Sequence, residues 1–519
     1  MNLPVQSAAP VDAGVPSGKV STRRQIRGSS LLMVGRFLSI GVNFIIQVLT
    51  VRYLSTTEYG AFAYALSIAT LAETIVTMGL DRAVTRFIPI YEERQDYARL
   101  FGTFFMVVGV ILSLTLALFL IVFGLNATLG PVLVSDPLAL SLMLILIFLG
   151  PIQALDNIFE GVLAVFSRPR AIFFRRYVVA PGMKVLVVTA LILSQSDVHF
   201  LAVGYLVAGL LGVLIYGTLL VRLVRESGLA AHFQRSQVRI PAREILMFTM
   251  PLLASDLVYV VMNTVDAILL EAFHSTGSVA AFRAVQPTAR FNQLILTSFA
   301  VMFTPAAARF FARNDREGIN DLYWRNAIWV AVFSFPIFAF TFSLAEPITK
   351  LLYTERYADS GMILALLSLG YYFNAATGQN GLTLKVTGQI RYIVSVDIFA
   401  AVLNLGLNLI MIPRFGAMGA AVGTMTTMMI FNLLKQYGLT RGTGISFFEA
   451  RYVRVYLVII AAALGLLALQ ALLNPPVPVS IGAALIASFI VVRLNRNELN
   501  VSQTFPELMR FKPLRYLIG

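Results

Sequence analysis

The sequence predicts an all-α polytopic membrane protein with about fourteen transmembrane helices, arranged as two six-helix lobes and a C-terminal helical hairpin. Of its 519 residues, 58% are hydrophobic and 13% are charged, whereas soluble proteins are about 45–50% apolar and about 25% charged. Because single hydrophobic cores stop growing near ~250–300 residues, the surplus apolar surface must face lipid. This composition excludes a soluble enzyme, a nucleic-acid-binding domain and a disordered scaffold.

Fourteen apolar runs supply the predicted helices, since each has the roughly 20 mostly apolar residues that cross a bilayer. Residues 1–28 are expected to form a disordered cytoplasmic tail. The first run is too long for the apolar region of a signal peptide, and no small-residue cleavage site follows it. The predicted spans are 29–53, 58–80, 100–124, 137–160, 171–194, 199–223, 245–270, 279–303, 323–345, 357–380, 387–412, 416–437, 453–473 and 478–494.

The distribution of basic residues predicts the orientation of these spans. Connections that join odd-numbered to even-numbered spans hold three basic residues, Lys350, Arg356 and Arg414, and the great majority of the others lie in the tails and the remaining connections. Such alternation follows the positive-inside rule. Both termini are therefore expected in the cytoplasm and the protein in the cell membrane. The net charge of +14 needs no nucleic-acid partner, although binding of anionic membrane lipid stays open.

An internal repeat divides the chain into lobes. The segment 86–89 (RFIP) resembles 302–305 (MFTP), and 160–161 (EG) resembles 380–381 (NG), at equivalent topological positions. Transporters built from such repeats bind substrate at the repeat interface. The predicted units are an N-lobe 29–223, a cytoplasmic inter-lobe linker 224–244, a C-lobe 245–440, a hairpin 441–494 and a cytoplasmic tail 495–519.

Polar side chains within the spans are the candidate functional residues, because charges in lipid are costly and face a cavity or a partner. On spans 1 and 8 they recur every three or four residues, which places them on one stripe of each helix. One hydrophilic cavity explains these stripes, and interhelical hydrogen bonding is the structural alternative. Pro287 is expected to bend span 8. The candidate substrate-binding residues are Arg36, Asn43, Gln47, Lys184, Arg283, Gln286, Arg290 and Gln293.

A second set of polar residues is acidic apart from one amide, and two roles stay open for it. These side chains either couple transport to a proton or sodium ion, or form salt bridges to the intramembrane cations. The set comprises Glu73, Asp256, Asn263, Asp266 and Asp397. The sequence has no cysteine, three widely separated histidines and no phosphate-binding glycine loop, so neither catalysis nor a metal or cofactor is expected.

Several segments resemble the polysaccharide-transporter branch, with its Wzx-type flippases, of the multidrug/oligosaccharidyl-lipid/polysaccharide (MOP) superfamily. They are Gly35-Arg36, 51–60 (VRYLSTTEYG), 78–80 (MGL), 86–89 (RFIP) and 416–421 (GAMGAA). The resemblance covers spans 1 to 12. It implies two six-helix lobes in a V shape and alternating access. It also implies translocation of polyprenyl-pyrophosphate-linked sugars from the cytoplasmic to the outer leaflet, for lipopolysaccharide or exopolysaccharide synthesis.

The resemblance further implies cationic side chains beside a lateral opening between spans 1 and 8, and Arg36, Arg283 and Arg290 fit that pattern. An arginine fork suits a pyrophosphate. Because four carboxylates balance the intramembrane cations, which are these arginines and Lys184, a strongly cationic cavity is not expected.

Three alternatives to a flippase for lipid-linked oligosaccharide stay open. A cation-coupled multidrug exporter of the same fold is favoured by the acidic residues of span 7 and disfavoured by the LSxxEYG element. A glycan polymerase or ligase would need a larger exterior loop than the sequence offers. A non-transporting partner of a glycan-assembly complex is the third. A polymerase and glycosyltransferases are the expected protein partners.

Overall fold

The computed structural model describes residues 18–166 and 168–499, with side chains from residue 32 onward except at 125–133, 235, 251, 254 and 255. Over this part of the chain the secondary structure is helical, without strands, which confirms the predicted fold class. Helix α1 begins at Gly18, so the expected disordered tail is wrong for residues 18–28. The remainder of the two predicted tails, 1–17 and 500–519, lies outside the described residues.

The first half of the molecule covers the first six predicted spans. Its helices are α1 (Gly18–Tyr53), α2 (Thr56–Thr77), α3 (Leu80–Glu93), α4 (Tyr97–Leu133), α5 (Pro137–Leu146), α6 (Leu149–Val165), α7 (Pro169–Ile172), α8 (Ala180–Leu193) and α9 (Val198–Glu226). A capping box between Ser55 and Glu58 starts α2. Met78 and Gly79 take left-handed backbone conformations that end it, and α3 then continues beyond the predicted span.

The second half covers predicted spans 7 to 12. Its helices are α10 (Ala242–Phe273), α11 (Thr276–Arg290), α12 (Leu294–Ala312), α13 (Arg316–Phe338), α14 (Ala345–Tyr353), α15 (Ser360–Ala376), α16 (Asn380–Val386) and α17 (Ile390–Thr443). As Pro287 predicts, span 8 is interrupted, because a 3₁₀ turn at Phe291–Gln293 separates α11 from α12. Spans 11 and 12 are two helices, as expected, which meet at a kink at Gly416, whose φ is +54°; the label α17 covers both.

The hairpin consists of α18 (Val453–Leu473) and α19 (Val477–Leu494), and the short helix α20 (Arg496–Leu499) follows it. Among the described residues, eleven helices are long and apolar enough to cross a membrane. The longest, α17, contains two of the predicted spans, while α10 and α15 coincide with predicted spans 7 and 10. Every predicted span therefore coincides with a helix, and the chain is a multi-pass membrane protein.

One apolar core joins the two halves at a single end of the helical bundle. It combines buried side chains such as Leu54 and Tyr59 from the first half with Phe282 and Tyr353 from the second. We call this end, which carries the turns at 54–55, 134–136, 274–275 and 354–359, the outer end, and the opposite one the inner end. A second core combines the second half with the hairpin, and a third combines the first half with Ile245 of α10. Beside these contacts the halves leave space between them.

Candidate functional site

Three adjoining cavities share Arg290, and two of them lie between the halves. The lateral cavity, about 820 Å³, lies between α1 and the segment 287–297. The central cavity, about 390 Å³, is lined by α1, α2, α8, α10 and α11. The C-half pocket, about 450 Å³, is lined by α10, α11, α15 and α17. Arg290 ends α11 beside the 3₁₀ turn, and this break in span 8 places its side chain where the three spaces meet.

The structure brings all eight predicted substrate-binding residues to these cavities. The lateral cavity receives Arg36, Asn43, Gln47, Arg290 and Gln293. The central cavity adds Lys184, Arg283 and Gln286. Residues from three predicted spans thus line one continuous polar region, as the stripes on the helices predict.

Asn263 holds both arginines of α11 in place. Its carbonyl oxygen accepts a hydrogen bond from Arg283 Nη2 at 2.8 Å, and its side-chain Oδ1 accepts one from Arg290 Nη2, also at 2.8 Å. Arg283 Nη1 donates to Gln286 Oε1 at 2.8 Å, while its Nε has no hydrogen-bond partner. Arg290 Nε donates to the Tyr371 hydroxyl at 3.0 Å. Neither guanidinium is bound to a carboxylate of the described residues, so both keep N–H groups for an anion.

Two further cations of the cavities have no acidic partner within the described part of the chain. Arg36 is exposed toward the lateral cavity and makes no ion pair there. The Lys184 ammonium lies 5.4 Å from the centre of the Tyr205 ring, a cation–π arrangement that leaves its three N–H donors available.

Gln47 has a structural role that the sequence does not reveal. Pro287 has no N–H, so it leaves the carbonyl oxygen of Arg283 without its helical donor. Gln47 Nε2 lies 3.5 Å from that oxygen and donates to the Ala284 carbonyl at 3.1 Å. This contact joins α1 to α11 on the side of the lateral cavity nearer the outer end.

The four predicted carboxylates do not pair with the four predicted cations, which corrects the charge balance expected from the sequence. Asp256 binds Arg82 at 2.6 Å, and Asp397 binds Lys435 at 3.3 Å. Glu73 accepts a hydrogen bond from Asn157 at 2.9 Å. Asp266 is fully buried behind the cavities, within electrostatic range of Arg283 and Arg290 but not in contact with them.

The cavities are consequently more cationic than the sequence indicates. Of the described residues that line them, Asp397 is the one carboxylate. The lining cations are Arg36, Arg176, Lys184, Arg283, Arg290 and Lys435. Arg176 and Lys435 have acidic partners, Glu160 and Asp397. A net positive charge remains around the central and lateral cavities.

Asp266 belongs to a buried polar cluster in which two side chains donate hydrogen bonds to its carboxylate. Asn408 Nδ2 and Thr424 Oγ1 hydrogen-bond to its carboxylate, and Asn408 also contacts Asn404 Oδ1. The Oδ1 atom of Asn408 is buried without a partner. Carboxylate, amide and hydroxyl oxygens are hard ligands that suit a cation such as sodium. No group of three or more His, Cys, Asp or Glu residues suited to a metal occurs in the described ranges.

The sequence missed three residues of the site. Tyr371 contacts Arg290, Lys435 pairs with Asp397, and Arg176 lines the lateral cavity. A charge inside the apolar run of span 12 marks Lys435, and the residue is 9% exposed. Tyr371 carries no comparable signal, because tyrosine is common in membrane helices.

Hydrogen bonds between the halves close the outer end. Arg52 Nη2 donates to the Leu351 carbonyl at 3.0 Å. Arg356 donates to two carbonyls of the first half, from Nη2 to Arg52 at 2.7 Å and from Nη1 to Leu54 at 3.2 Å. These groups satisfy carbonyls that α1 leaves free at its C-terminus. We call these contacts the outer seal.

Two contacts extend the outer seal across α5, α10 and α11. Glu271 Oε1 accepts hydrogen bonds from the N–H groups of Ser135 and Asp136, at 2.8 and 3.2 Å. Gly60 of α2 lies so close to α11 that a Cβ atom there would be 1.8 Å from the Thr276 carbonyl oxygen. The outer end is therefore closed while the cavities remain open below it.

Contacts at the inner end join the halves on one flank. Arg82 of α3 pairs with Asp256 of α10, and the Tyr91 hydroxyl donates to Glu244 at 2.9 Å. The Arg86 guanidinium lies 4.3 Å from the centre of the Phe248 ring. The lateral cavity lies on the opposite flank, between α1 and α12.

The helical fold with a polar cavity between two halves is that of the MOP superfamily. A lipid II flippase, MurJ, in an inward closed conformation matches with a TM-score of 0.71 and 17% identity, over 91% of this chain and 99% of MurJ. An inward-facing multidrug resistance MATE transporter of the MOP superfamily matches with a TM-score of 0.63 and 15% identity, over 80% and 96% of the two chains. These likenesses establish the fold.

The chain belongs to the family described as polysaccharide biosynthesis protein, whose model matches residues 26–311. The MatE model matches residues 251–410. Both matches confirm the resemblance found in the sequence.

Three relatives are about equally distant in sequence. An uncharacterized membrane protein of Methanocaldococcus jannaschii is 20% identical, over 84% of this chain and 88% of the relative. The capsular polysaccharide biosynthesis protein CapF of Staphylococcus aureus is 21% identical, over 38% and 49%. A probable low-salt glycan biosynthesis flippase of Haloferax volcanii, Agl15, is 20% identical, over 35% and 39%.

Proposed function

We propose that the protein is a flippase that carries a polyprenyl-pyrophosphate-linked oligosaccharide across the cell membrane by alternating access, for surface polysaccharide synthesis. The inner end and both termini face the cytoplasm in this proposal. The observation that carries it is the position of Arg290, which lies where three cavities meet and has no acidic partner in the described ranges.

The chemistry of a pyrophosphate matches the cations of these cavities. A pyrophosphate that leaves water needs donors to replace its hydration, and charge-assisted hydrogen bonds of about 1.5–3 kcal/mol each supply them. Arg36 stands in the lateral cavity, while Arg283 and Lys184 stand in the central cavity. The lateral cavity would let the pyrophosphate enter while the polyprenyl chain stays in lipid.

The relatives support this substrate class. Agl15 is described as a probable glycan biosynthesis flippase, CapF as a capsular polysaccharide biosynthesis protein and MurJ as a lipid II flippase. Glycosyltransferases and a glycan polymerase would then act before and after this protein.

The test is complementation of a flippase-deficient strain with Arg36→Ala, Arg283→Ala, Arg290→Ala and Arg290→Lys, with membrane abundance measured for each. Loss of one such arginine should weaken substrate engagement roughly tenfold or more, since ~1.4 kcal/mol is a factor of ten. Arg290→Lys should restore export partly, because lysine keeps the charge but loses the fork. Arg94→Ala, at an exposed position outside the cavities, is the matched control. Full export by all three alanine variants would refute the role of these arginines.

We also propose that Asp266 couples transport to sodium or protons, supported by its buried cluster with Asn408 and Thr424. Asp266→Asn should remove the dependence of transport on the ion gradient while abundance is retained. Asp256→Asn is the comparison, because Asp256 pairs with Arg82 and lies outside the cavities. Gradient dependence that persists in Asp266→Asn would show that this carboxylate is structural.

The same cluster favours a second candidate, a cation-coupled multidrug exporter. The two functions differ in substrate charge. An exporter of cationic drugs needs an anionic cavity, whereas Asp397 is the one carboxylate on the described cavity walls. Drug resistance conferred by the wild-type protein without any restored glycan export would favour the exporter.

A further inference from the structure

The C-half pocket differs in chemistry from the two cavities beside it. Lys435 and Asp397 face each other across 3.3 Å, so their charges balance. Arg290, at the mouth of the pocket, is the other charged residue on its wall. The deeper part of the pocket is thus electrically neutral, whereas the central and lateral cavities carry net positive charge.

Polar groups without partners line this pocket. Within the described chain, the side-chain amides of Asn374 and Gln293 make no hydrogen bond, although both line the pocket. Thr427 is 1% exposed and its hydroxyl has no partner. A hydroxyl and two amides together offer several donors and acceptors. The amides of Asn374 and Gln293 are half-buried and open to the pocket, and Thr427 adds a buried hydroxyl without a partner. Uncharged donors and acceptors of this kind suit a polar, uncharged ligand.

Aromatic rings complete the lining. Tyr371, Tyr259 and Phe431 contribute to the wall, and the Lys435 ammonium lies 3.6 Å from the centre of the Phe431 ring. A pyranose has apolar C–H faces and hydroxyl edges. Rings beside amides and hydroxyls match both, following the usual pattern of an apolar pocket with a few placed polar groups.

We infer that the C-half pocket binds the sugar attached directly to the pyrophosphate and that this sugar is uncharged. The inference rests on the proposed flippase function. Arg290 fixes the arrangement, since it contacts both Asn263, beside the central cavity, and Tyr371, on the pocket wall. The pyrophosphate then lies among Arg36, Arg283 and Lys184, and the first sugar points toward α15 and α17.

The test measures binding of two probes to the purified full-length protein. One probe is a C15 prenyl diphosphate, and the other is the same diphosphate carrying a single N-acetylhexosamine. The wild type should bind the sugar-bearing probe more tightly. Asn374→Leu and Thr427→Val should each weaken that probe roughly three- to tenfold, the effect of one hydrogen bond, and leave binding of the plain diphosphate unchanged. Arg290→Ala should weaken both probes.

A matched control is available. Thr349 is fully buried with an unpartnered hydroxyl, like Thr427, but lies outside the three cavities, so Thr349→Val should bind both probes as the wild type does. Equal binding of the two probes by the wild type would overturn the sugar site, as would pocket variants that keep the full preference for the sugar. Failure of the wild type to bind either probe would instead refute the flippase function, and the sugar site with it.

Discussion

Arg36 and Arg52 lie on the same helix, yet their surroundings are opposite. Arg52 donates to the Leu351 carbonyl in the outer seal, whereas Arg36 faces the lateral cavity without a partner among the described residues. Arg356, in the same seal, likewise uses its guanidinium on two carbonyls of the other half. An arginine whose donors are used holds the halves together, and one whose donors are free can bind a ligand.

The largest expected effect comes from the outer seal at Gly60. In Gly60→Ala the new Cβ would meet the Thr276 carbonyl oxygen at 1.8 Å, so α2 and α11 must separate at a cost of about 1–3 kcal/mol. The chain has no cysteine, so a single Leu54→Cys, 1% exposed in the sealed protein, reports opening. We expect its labelling by a water-soluble maleimide to rise about tenfold or more.

Gly109→Ala controls for the added methyl group, because no atom lies within 4 Å of the Cβ position at Gly109. It should label like the wild type. Unchanged labelling in Gly60→Ala would mean that this contact does not hold the outer end closed.

An intermediate effect separates the two kinds of arginine directly. Arg356→Ala removes two charge-assisted bonds across the seal and should raise Leu54→Cys labelling several-fold, since each bond contributes about 1.5–3 kcal/mol before water replaces it. Arg36→Ala should leave labelling unchanged and weaken binding of the prenyl diphosphate. The distinction between the two arginines would fail if both variants altered the same measurement.

The smallest effect is expected at Lys350, on the outer surface. Its ammonium contacts Glu346 at 2.9 Å and Glu355 at 3.4 Å, and the hydrogen bond to Glu346, followed by that to Glu355, raises the pKa of Lys350 above its usual value. A lysine whose pKa is raised in the folded protein stabilises the fold fully below the pKa of the unfolded chain. This stabilisation is lost only as the pH rises through the pKa of the folded protein. Labelling and transport in Lys350→Ala should therefore match the wild type near neutral pH, because exposed ion pairs contribute little. A large change would show that this surface triad belongs to the seal.

Hydrophobicity alone predicted the helices, because each apolar run had only lipid or other helices to contact. The spacing of the polar residues predicted which of them line the same cavity, since residues on one helical stripe face the same side of the helix. It could not predict the partners of the carboxylates. Asp256 and Arg82 are 174 positions apart, and no periodicity within one helix indicates a contact across two halves.

Local backbone conformations could not be predicted from the sequence either. The apolar run 387–437 shows that two spans meet near Gly416, but it does not show that this residue takes a φ of +54° beside the His274 ring. The charge of the cavities was misjudged for a related reason. Counting residues in the sequence predicted that the positive and negative charges balance. In the structure, three of the four carboxylates lie away from the cavity walls.

The break between α11 and α12 allows the wall of the lateral cavity to bend. A 3₁₀ turn at Phe291–Gln293 follows Pro287, and both features replace regular helical hydrogen bonds, so the chain bends there at low cost. α11 stays fixed against α2 through the close approach at Gly60 and Thr276. α12 can therefore change its angle to α11 while the outer end remains closed. The width of the lateral cavity can then change without loosening the outer seal.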